Sequence, residues 1–265
     1  MVTWDDSTAF ITGGGQGIGL GIARALARKG VRLALADVDA AALQAARAEL
    51  ADLVATETYV LDVRDRDALA ATADQVESAL GPVSLLFNNA GVAPIIGAIQ
   101  ATYADWDWTL GVNLVGVVNG VQTFLPRMVA RGQGGHIVNT ASGAGLVAGP
   151  GALYTTSKFA VVGLSESLRL ELAAHGIGVS VLVPAAVDTS IINNSQGLHT
   201  SEAMATNQEA AAASIAFLKT GVSIDAVGER VVEAMEGDRM WIHTDTTIRP
   251  HLAQRCEDLL ASFPS

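Results

Sequence analysis

The sequence holds one cysteine, Cys256, so no intrachain disulfide is possible and the chain suits a reducing compartment. Cys256 lies in a C-terminal helical pattern and reads as a partly buried helix residue rather than a nucleophile. Basic residues are scarce: 16 Lys and Arg stand against 27 Asp and Glu, a formal net charge of −11. Binding a phosphate backbone or an anionic membrane surface needs clustered Lys and Arg, so neither nucleic acid nor membrane is expected as a partner. The acidity reads as a solubilising surface and says nothing about substrate. No apolar run approaches the ~18 residues that a membrane span needs. Met1 to Phe10 shows no basic start followed by an apolar stretch, so no signal peptide is expected. The five histidines include no pair at i, i+4 and have no cysteine cluster beside them, so no catalytic metal is expected. These absences together predict a soluble cytoplasmic protein.

Half of the 265 residues are hydrophobic and only 16% are charged, which excludes disorder and supplies a sizeable core. Continuous apolar runs at Thr8–Thr12, Val31–Ala36, Thr58–Leu61, Val83–Phe87, His136–Thr140, Val179–Val183 and Met240–His243 read as strands. Helical spacing fills the intervals: Leu20–Lys29, Ala40–Leu53, Asp67–Leu80, Trp106–Arg131, Thr156–His175, Ile224–Glu236 and Arg249–Leu260. Strands that are apolar throughout, rather than alternating, belong in a parallel sheet covered on both faces. Right-handed crossovers then make a doubly wound, Rossmann-type α/β fold. No linker or composition break divides the chain, so one domain is expected over residues 1–265. The least regular stretch, about 185–223, suits a substrate loop or lid with a helical piece from Glu202 to Leu218.

The first strand runs into Thr12-Gly13-Gly14-Gly15-Gln16-Gly17-Ile18-Gly19. Glycines there let the backbone turn sharply and approach a pyrophosphate, and the helix that follows offers free N–H groups and a positive dipole end. This makes Gly13, Gln16, Gly17, Ile18 and Gly19 candidate cofactor contacts. Asp37 ends the second strand about twenty residues past the glycines, where a carboxylate accepts both hydroxyls of an adenosine ribose. It would repel the extra phosphate of NADP, and no Arg or Lys follows it directly. The expected cofactor is NAD.

Tyr154 and Lys158 stand four residues apart at a helix start, which puts both on one helix face. A free phenol titrates near ~10, too high for a base at neutral pH, and a nearby cation lowers that value. Hydride transfer to or from an alcohol carbon needs such a proton partner. Ser142 lies just past the fifth strand, at the carboxyl-end side where doubly wound sheets bind ligands.

Taken in order, the Thr12–Gly19 loop, Asn88-Asn89-Ala90-Gly91, Asn113, Ser142, and Tyr154 with Lys158 resemble the short-chain dehydrogenase/reductase family in its compact single-domain form. The resemblance covers about Thr8 to Thr189. It implies that Tyr154 is the general acid in ketone reduction and the base in alcohol oxidation. It implies that Lys158 holds the nicotinamide ribose and lowers the Tyr154 pKa. Ser142 would polarise the substrate oxygen, and Asn113 would position a water linking Lys158 to solvent. Asn89, Ala90 and Gly91 would lie along the ribose, and Asp62 with Val63 against the adenine. Pro184, Val187 and Thr189 would meet the nicotinamide carboxamide.

This sequence departs from the family pattern in three places. Ala185 stands where glycine is usual. The loop from Ser142 to Tyr154 is one residue short. The C-terminus, about 240–262, lacks the glycine-rich closing strand of tetrameric members, which favours a homodimer through the helices at 106–131 and 156–175. The stretch Tyr103 to Trp108, with Gly111 to Leu114 and Gly116 to Gly120, also resembles a subgroup that oxidises bulky benzylic alcohols. The residues alone read Trp106 and Trp108 as helix-start packing. The expected activity is therefore hydride transfer between NAD(H) and a hydrophobic or aromatic secondary alcohol or ketone. The alternative is a catalytically silent NAD-binding redox sensor.

Overall fold

The computed structural model of the protein describes residues 4–199 and 201–264. Met1–Thr3, part of the stretch read for a leader, and Thr200 of the irregular segment lie outside them. Seven strands form one parallel sheet: β1 (Thr8–Thr12), β2 (Arg32–Asp37), β3 (Thr56–Val60), β4 (Val83–Asn88), β5 (Gly135–Thr140), β6 (Ile177–Val183) and β7 (Trp241–His243). Their spatial order is β3-β2-β1-β4-β5-β6-β7. Because consecutive strands run the same way, each connection must cross a face of the sheet, and helices do so.

One face is covered by α1 (Gly17–Ala27), α2 (Ala40–Leu50) and α10 (Ile224–Glu236), which bury Ile22, Leu26, Leu43, Val227 and Val231 against the sheet. The other carries α3 (Arg66–Leu80), α5 (Gly116–Arg131) and α6 (Ala152–Leu172). There Phe124 packs on Phe10 with ring centroids 4.6 Å apart. Truncating either to Ala would cost roughly 3–5 kcal/mol. Helices α1 and α10 touch backbone to backbone. A Cβ on Gly21 would run into the Ile224 carbonyl, and one on Gly228 into the Gly21 carbonyl, so only glycine permits this approach.

Three elements differ from the sequence expectation. The helix expected over 106–131 is α4 (Tyr103–Leu110), a π-helical turn (Gly111–Val115) and α5. Gly111 and Gly116 bracket the widened turn, and Gly116 sits so close to the Val63 side chain that no larger residue fits. The helix expected from Thr156 starts at Ala152, so Tyr154 already lies in its first turn. The 185–223 segment holds α7 (Ile191–Leu198), α8 (Glu202–Thr206) and α9 (Gln208–Leu218), and α7 falls in a stretch whose Asn, Ser and Thr content read as loop. Cys256 is exposed, not partly buried, because α11 (Arg249–Ala261) buries none of its residues. Among the described residues no helix is long and apolar enough to cross a membrane, and no group of three or more His, Cys, Asp or Glu could hold a metal ion.

At the amino end of the sheet, His136 is buried on β5 with Nε2 2.8 Å from the Ser180 hydroxyl, which donates to the Arg239 carbonyl at 2.6 Å. The Ser180 proton is thus spent, so the imidazole is the donor to it. Burial pushes the His136 pKa down from 6.5 to about 4, with Asp238 raising it and Arg169 lowering it. The unfolded chain takes up this proton near 6.5 and the folded one only near 4. Stability is therefore full above the first value and falls through that window, by up to about 3 kcal/mol. Urea unfolding at neutral and acid pH should show this loss, and His136→Gln, which keeps a donor toward Ser180 but does not titrate, should flatten it.

Candidate active site

Between β1 and β4 the strand order reverses, so α1 leaves toward one face and the chain after β4 toward the other. A crevice opens at the carboxyl ends of these strands, the position where such sheets bind ligands. It encloses about 640 Å³, within the roughly 300–1,000 Å³ of small-molecule and cofactor sites. Thr12 ties its two walls together. The Thr12 hydroxyl accepts from the backbone N–H of Asn89 at 2.9 Å and of Ala90 at 3.0 Å, and donates to the Phe87 carbonyl at 3.3 Å. The Asn89 amide returns the link, donating to the carbonyls of Thr12 and Gly13 at 3.1 and 3.2 Å. Gly13 has φ +64°, and a Cβ there would lie 3.0 Å from the Ala90 Cα. The loop is a bare backbone cradle at the start of α1.

At one end of the crevice stands Asp37. Its two carboxylate oxygens accept from the N–H groups of Gly15 and Asp39, each at 3.1 Å. Burial still raises its pKa above the usual 3.8. Asp62 lines the same end, gripped by the Arg64 guanidinium at 2.6–3.0 Å, which holds its carboxyl below the usual range. Val63 lies beside it and takes the Asn119 amide on its carbonyl at 2.9 Å.

The other end holds the chemistry-bearing side chains. Ser142 caps a short 3-10 turn, with its oxygen accepting from Ala144 N–H at 3.2 Å, and its hydroxyl is hydrogen-bonded to the Tyr154 phenol. Lys158 is buried, with Nζ donating to the Thr140 carbonyl at 3.0 Å and lying 5.7 Å from the centre of the Tyr154 ring. Burial pushes the Lys158 pKa down to about 8. It pushes the Tyr154 phenol above its usual 10, and the Ser142 hydrogen bond pulls the other way. Loss of hydration is the larger of the two effects, so the phenol stands above its usual value. Asn113 sits in the π-helical turn. Its Oδ1 accepts from Val92 N–H at 2.8 Å, and its Nδ2 donates to the Val92 carbonyl and the Ser157 hydroxyl.

Comparison with known proteins agrees with this geometry. A family model described as short chain dehydrogenase matches residues 7–199. The chain belongs to the short-chain dehydrogenase/reductase family. A relative named C alpha-dehydrogenase, from Sphingobium sp. (strain NBRC 103272 / SYK-6), is 36% identical over 99% of this chain and 88% of its own length. The crystal structure of a family member from Burkholderia phymatum in complex with NAD is 34% identical, with TM-score 0.92 over 100% of this chain and 98% of that one. A short-chain dehydrogenase from Sphingobium yanoikuyae in complex with NADPH is 26% identical, with TM-score 0.78 over 98% and 96%. This short-chain dehydrogenase is accordingly an oxidoreductase that binds a nicotinamide dinucleotide.

In this short-chain dehydrogenase Gly13, Gln16, Gly17, Ile18, Asp37, Asp62 and Val63 line the crevice. So do Asn89, Ala90, Gly91, Ser142, Tyr154, Lys158, Pro184, Val187 and Thr189. Gly19 and Asn113 do not line it. A Cβ on Gly19 would strike the Gly13 carbonyl, so Gly19 lets the cradle close on itself, and Asn113 props the Val92 backbone from beneath. Sequence reasoning gave no role to the Thr12 hydroxyl, to Arg64, or to Thr244, whose Oγ1 accepts from Ala185 N–H at 3.0 Å. Only a hydroxyl directly before the glycines hinted at the first. Trp108 also lines the crevice, beyond its expected packing role.

Thr12→Val keeps the shape of the side chain but strips the acceptor from two backbone N–H groups. It should lower unfolding stability by about 1–3 kcal/mol and weaken dinucleotide binding, whereas Thr12→Ser should do little of either. Urea titration and NADH fluorescence on the two variants check this.

Proposed function

We propose that the protein is an NAD-dependent dehydrogenase that interconverts a hydrophobic secondary alcohol and its ketone. The observation carrying this reading is the meeting of the Tyr154 phenol, the Ser142 hydroxyl and the buried Lys158 ammonium at one end of a dinucleotide-sized crevice. The crevice fits the cofactor: the Gly13 cradle leaves no room for a side chain, and a Cβ on Gly91 would crowd Asn113 Oδ1 and Lys158 Nζ. The nicotinamide, when bound, supplies the hydride chemistry.

Tyr154 holds its proton at neutral pH, which suits donation to a ketone oxygen. In the oxidative direction it takes the alcohol proton, and the Lys158 ammonium stabilises the phenolate that remains. Ser142 donates to the same substrate oxygen and sets its distance from Tyr154. Lys158, Pro184, Val187 and Thr189 would hold the nicotinamide half. The Asn113 side chain is spent on Val92 and Ser157, so a water it orders would sit on its main-chain carbonyl. Trp108, Ile191, Leu198 and Leu218 line the crevice as apolar groups, which supports a hydrophobic or aromatic substrate. The exposed face of α6, with Leu170 82% accessible, supports the homodimer through α5 and α6, which light scattering would report.

Tyr154→Phe should cut turnover by about 10²–10⁴-fold while NADH still binds in a fluorescence titration. Near-normal turnover would overturn the role given to Tyr154. Asp37 supports NAD over NADP: two unit charges 4 Å apart repel by roughly 4 kcal/mol at an effective dielectric of 20. Comparing kcat/KM for the two cofactors should show the preference, and Asp37→Ser should shrink it. Oxidation needs the deprotonated phenol, which burial holds above its usual 10, so its rate should still be rising as the pH approaches 10, and ketone reduction should begin to fall only there.

A further inference from the structure

The segment between β6 and α10 crosses the crevice and is tied down on three separate elements. At its neck Val187 pairs with Val222, with the Asp188 N–H donating to the Val222 carbonyl at 3.1 Å and the Val222 N–H to the Ala186 carbonyl at 3.2 Å. On α7, Asn194 donates its amide to Gln16 Oε1 at 2.9 Å, and the Ser195 hydroxyl accepts from Ala93 N–H at 2.9 Å. Past the end of α7, His199 Nε2 lies 2.8 Å from Asp105 Oδ1, and its ring stacks on the Trp108 indole with centroids 4.5 Å apart and planes 14° apart.

The last contact joins a buried carboxylate to a wall of the crevice. Asp105 is buried, with a side chain only 1% exposed, and a buried carboxylate needs partners. Its Oδ2 accepts from both the N–H and the hydroxyl of Thr102, at 2.8 and 2.7 Å, closing the capping box of α4. Oδ1 faces His199, and the carboxyl also takes a bond from Ser201. Burial pushes the Asp105 carboxyl up, but the bonds from Thr102, His199 and Ser201 hold it down to about 2. Because the two oxygens divide these tasks, His199 can leave without uncapping α4. Trp108 in turn lines the crevice, so the histidine bears on a wall of the site.

We propose that His199 is a positioning residue: its bond to Asp105 and its stack on Trp108 latch α7 over the crevice, and release of the bound dinucleotide waits on their separation. This rests on the reading of the crevice as an NAD(H) site. Lids of this kind commonly set turnover through product release. In the full-length protein, stopped-flow NADH dissociation should be compared for wild type, His199→Ala, His199→Gln and His199→Phe. Gln keeps a donor near the Nε2 position, and Phe keeps the stack.

Losing a hydrogen bond to a buried charge should speed NADH release from His199→Ala by about tenfold. KM for NAD should rise by a similar factor and kcat should stay level or rise, while the melting temperature falls in His199→Ala and His199→Phe, which take a donor from buried Asp105, and falls less in His199→Gln. His199→Gln and His199→Phe should each recover part of the slow release. Wild-type release from His199→Ala overturns the latch. So does a common loss of kcat and melting temperature in all three variants, which would mark a merely structural residue. Wild type that binds no NADH at all would instead overturn the reading of the crevice.

Discussion

The hydrogen bonds between Thr12 and the Asn89–Ala90 backbone are what the rest of the site hangs from. They join the ends of β1 and β4, the two strands whose following segments diverge to opposite faces. From there a line of polar contacts runs across the sheet. Asn89 Oδ1 accepts from the Thr140 hydroxyl on β5 at 3.2 Å, and the Thr140 carbonyl accepts from Lys158 on α6 at 3.0 Å. The cradle at one end and the proton-handling groups at the other are thus fixed to one another through four elements. Each link is at least half-buried, where an unmade hydrogen bond costs far more than a made one gains.

Burial also sets the chemistry. Lys158 is shut away from water with one carbonyl as partner, and its ammonium is correspondingly easy to deprotonate. Tyr154 is pushed the opposite way by the same cause, since its charged form is the deprotonated one. The two shifts move the pair apart from the nearly equal values they have in water, so near neutrality the phenol keeps its proton while the ammonium comes close to losing its own. His136 experiences the same loss of hydration at the far end of the sheet, yet its neighbours there are Ser180, Asp238 and Arg169, and it does not line the crevice. A perturbed titration marks a functional site only where a cavity meets it.

The segment over the crevice has a different character. Besides the small apolar cluster of Ala203 and Met204 with Ile96, it is held by side-chain bonds to three elements, which must break for it to move. Its attachments reach the glycine cradle through Gln16, the stretch after β4 through Ala93, and α4 through Asp105. Those are the surfaces that a bound dinucleotide and substrate would share, so their occupancy and the position of α7 are coupled.

The strands were legible because a parallel sheet buried on both faces demands unbroken apolar runs, and β1 and the α10 helix fall where the pattern places them. The order of the glycine loop, the Asn88–Gly91 run, Ser142, Tyr154 and Lys158 was likewise legible, since local backbone needs and a helical turn govern each. The π-helical turn was not, because the residues read as one unbroken helix, and the close approach of Gly116 to the Val63 side chain joins residues far apart in sequence. Nor was α7, whose Asn and Ser residues suit a loop and whose eight residues are held by distant partners. By itself the sequence determined the doubly wound sheet and the cradle, which follow from near-neighbour chemistry, and it supplied the groups proposed to react. Only the tertiary structure decided how deeply Lys158 and Tyr154 are buried, which way their proton affinities move, and that Asp105, Trp108 and His199 meet, because each depends on what the folded chain packs around them.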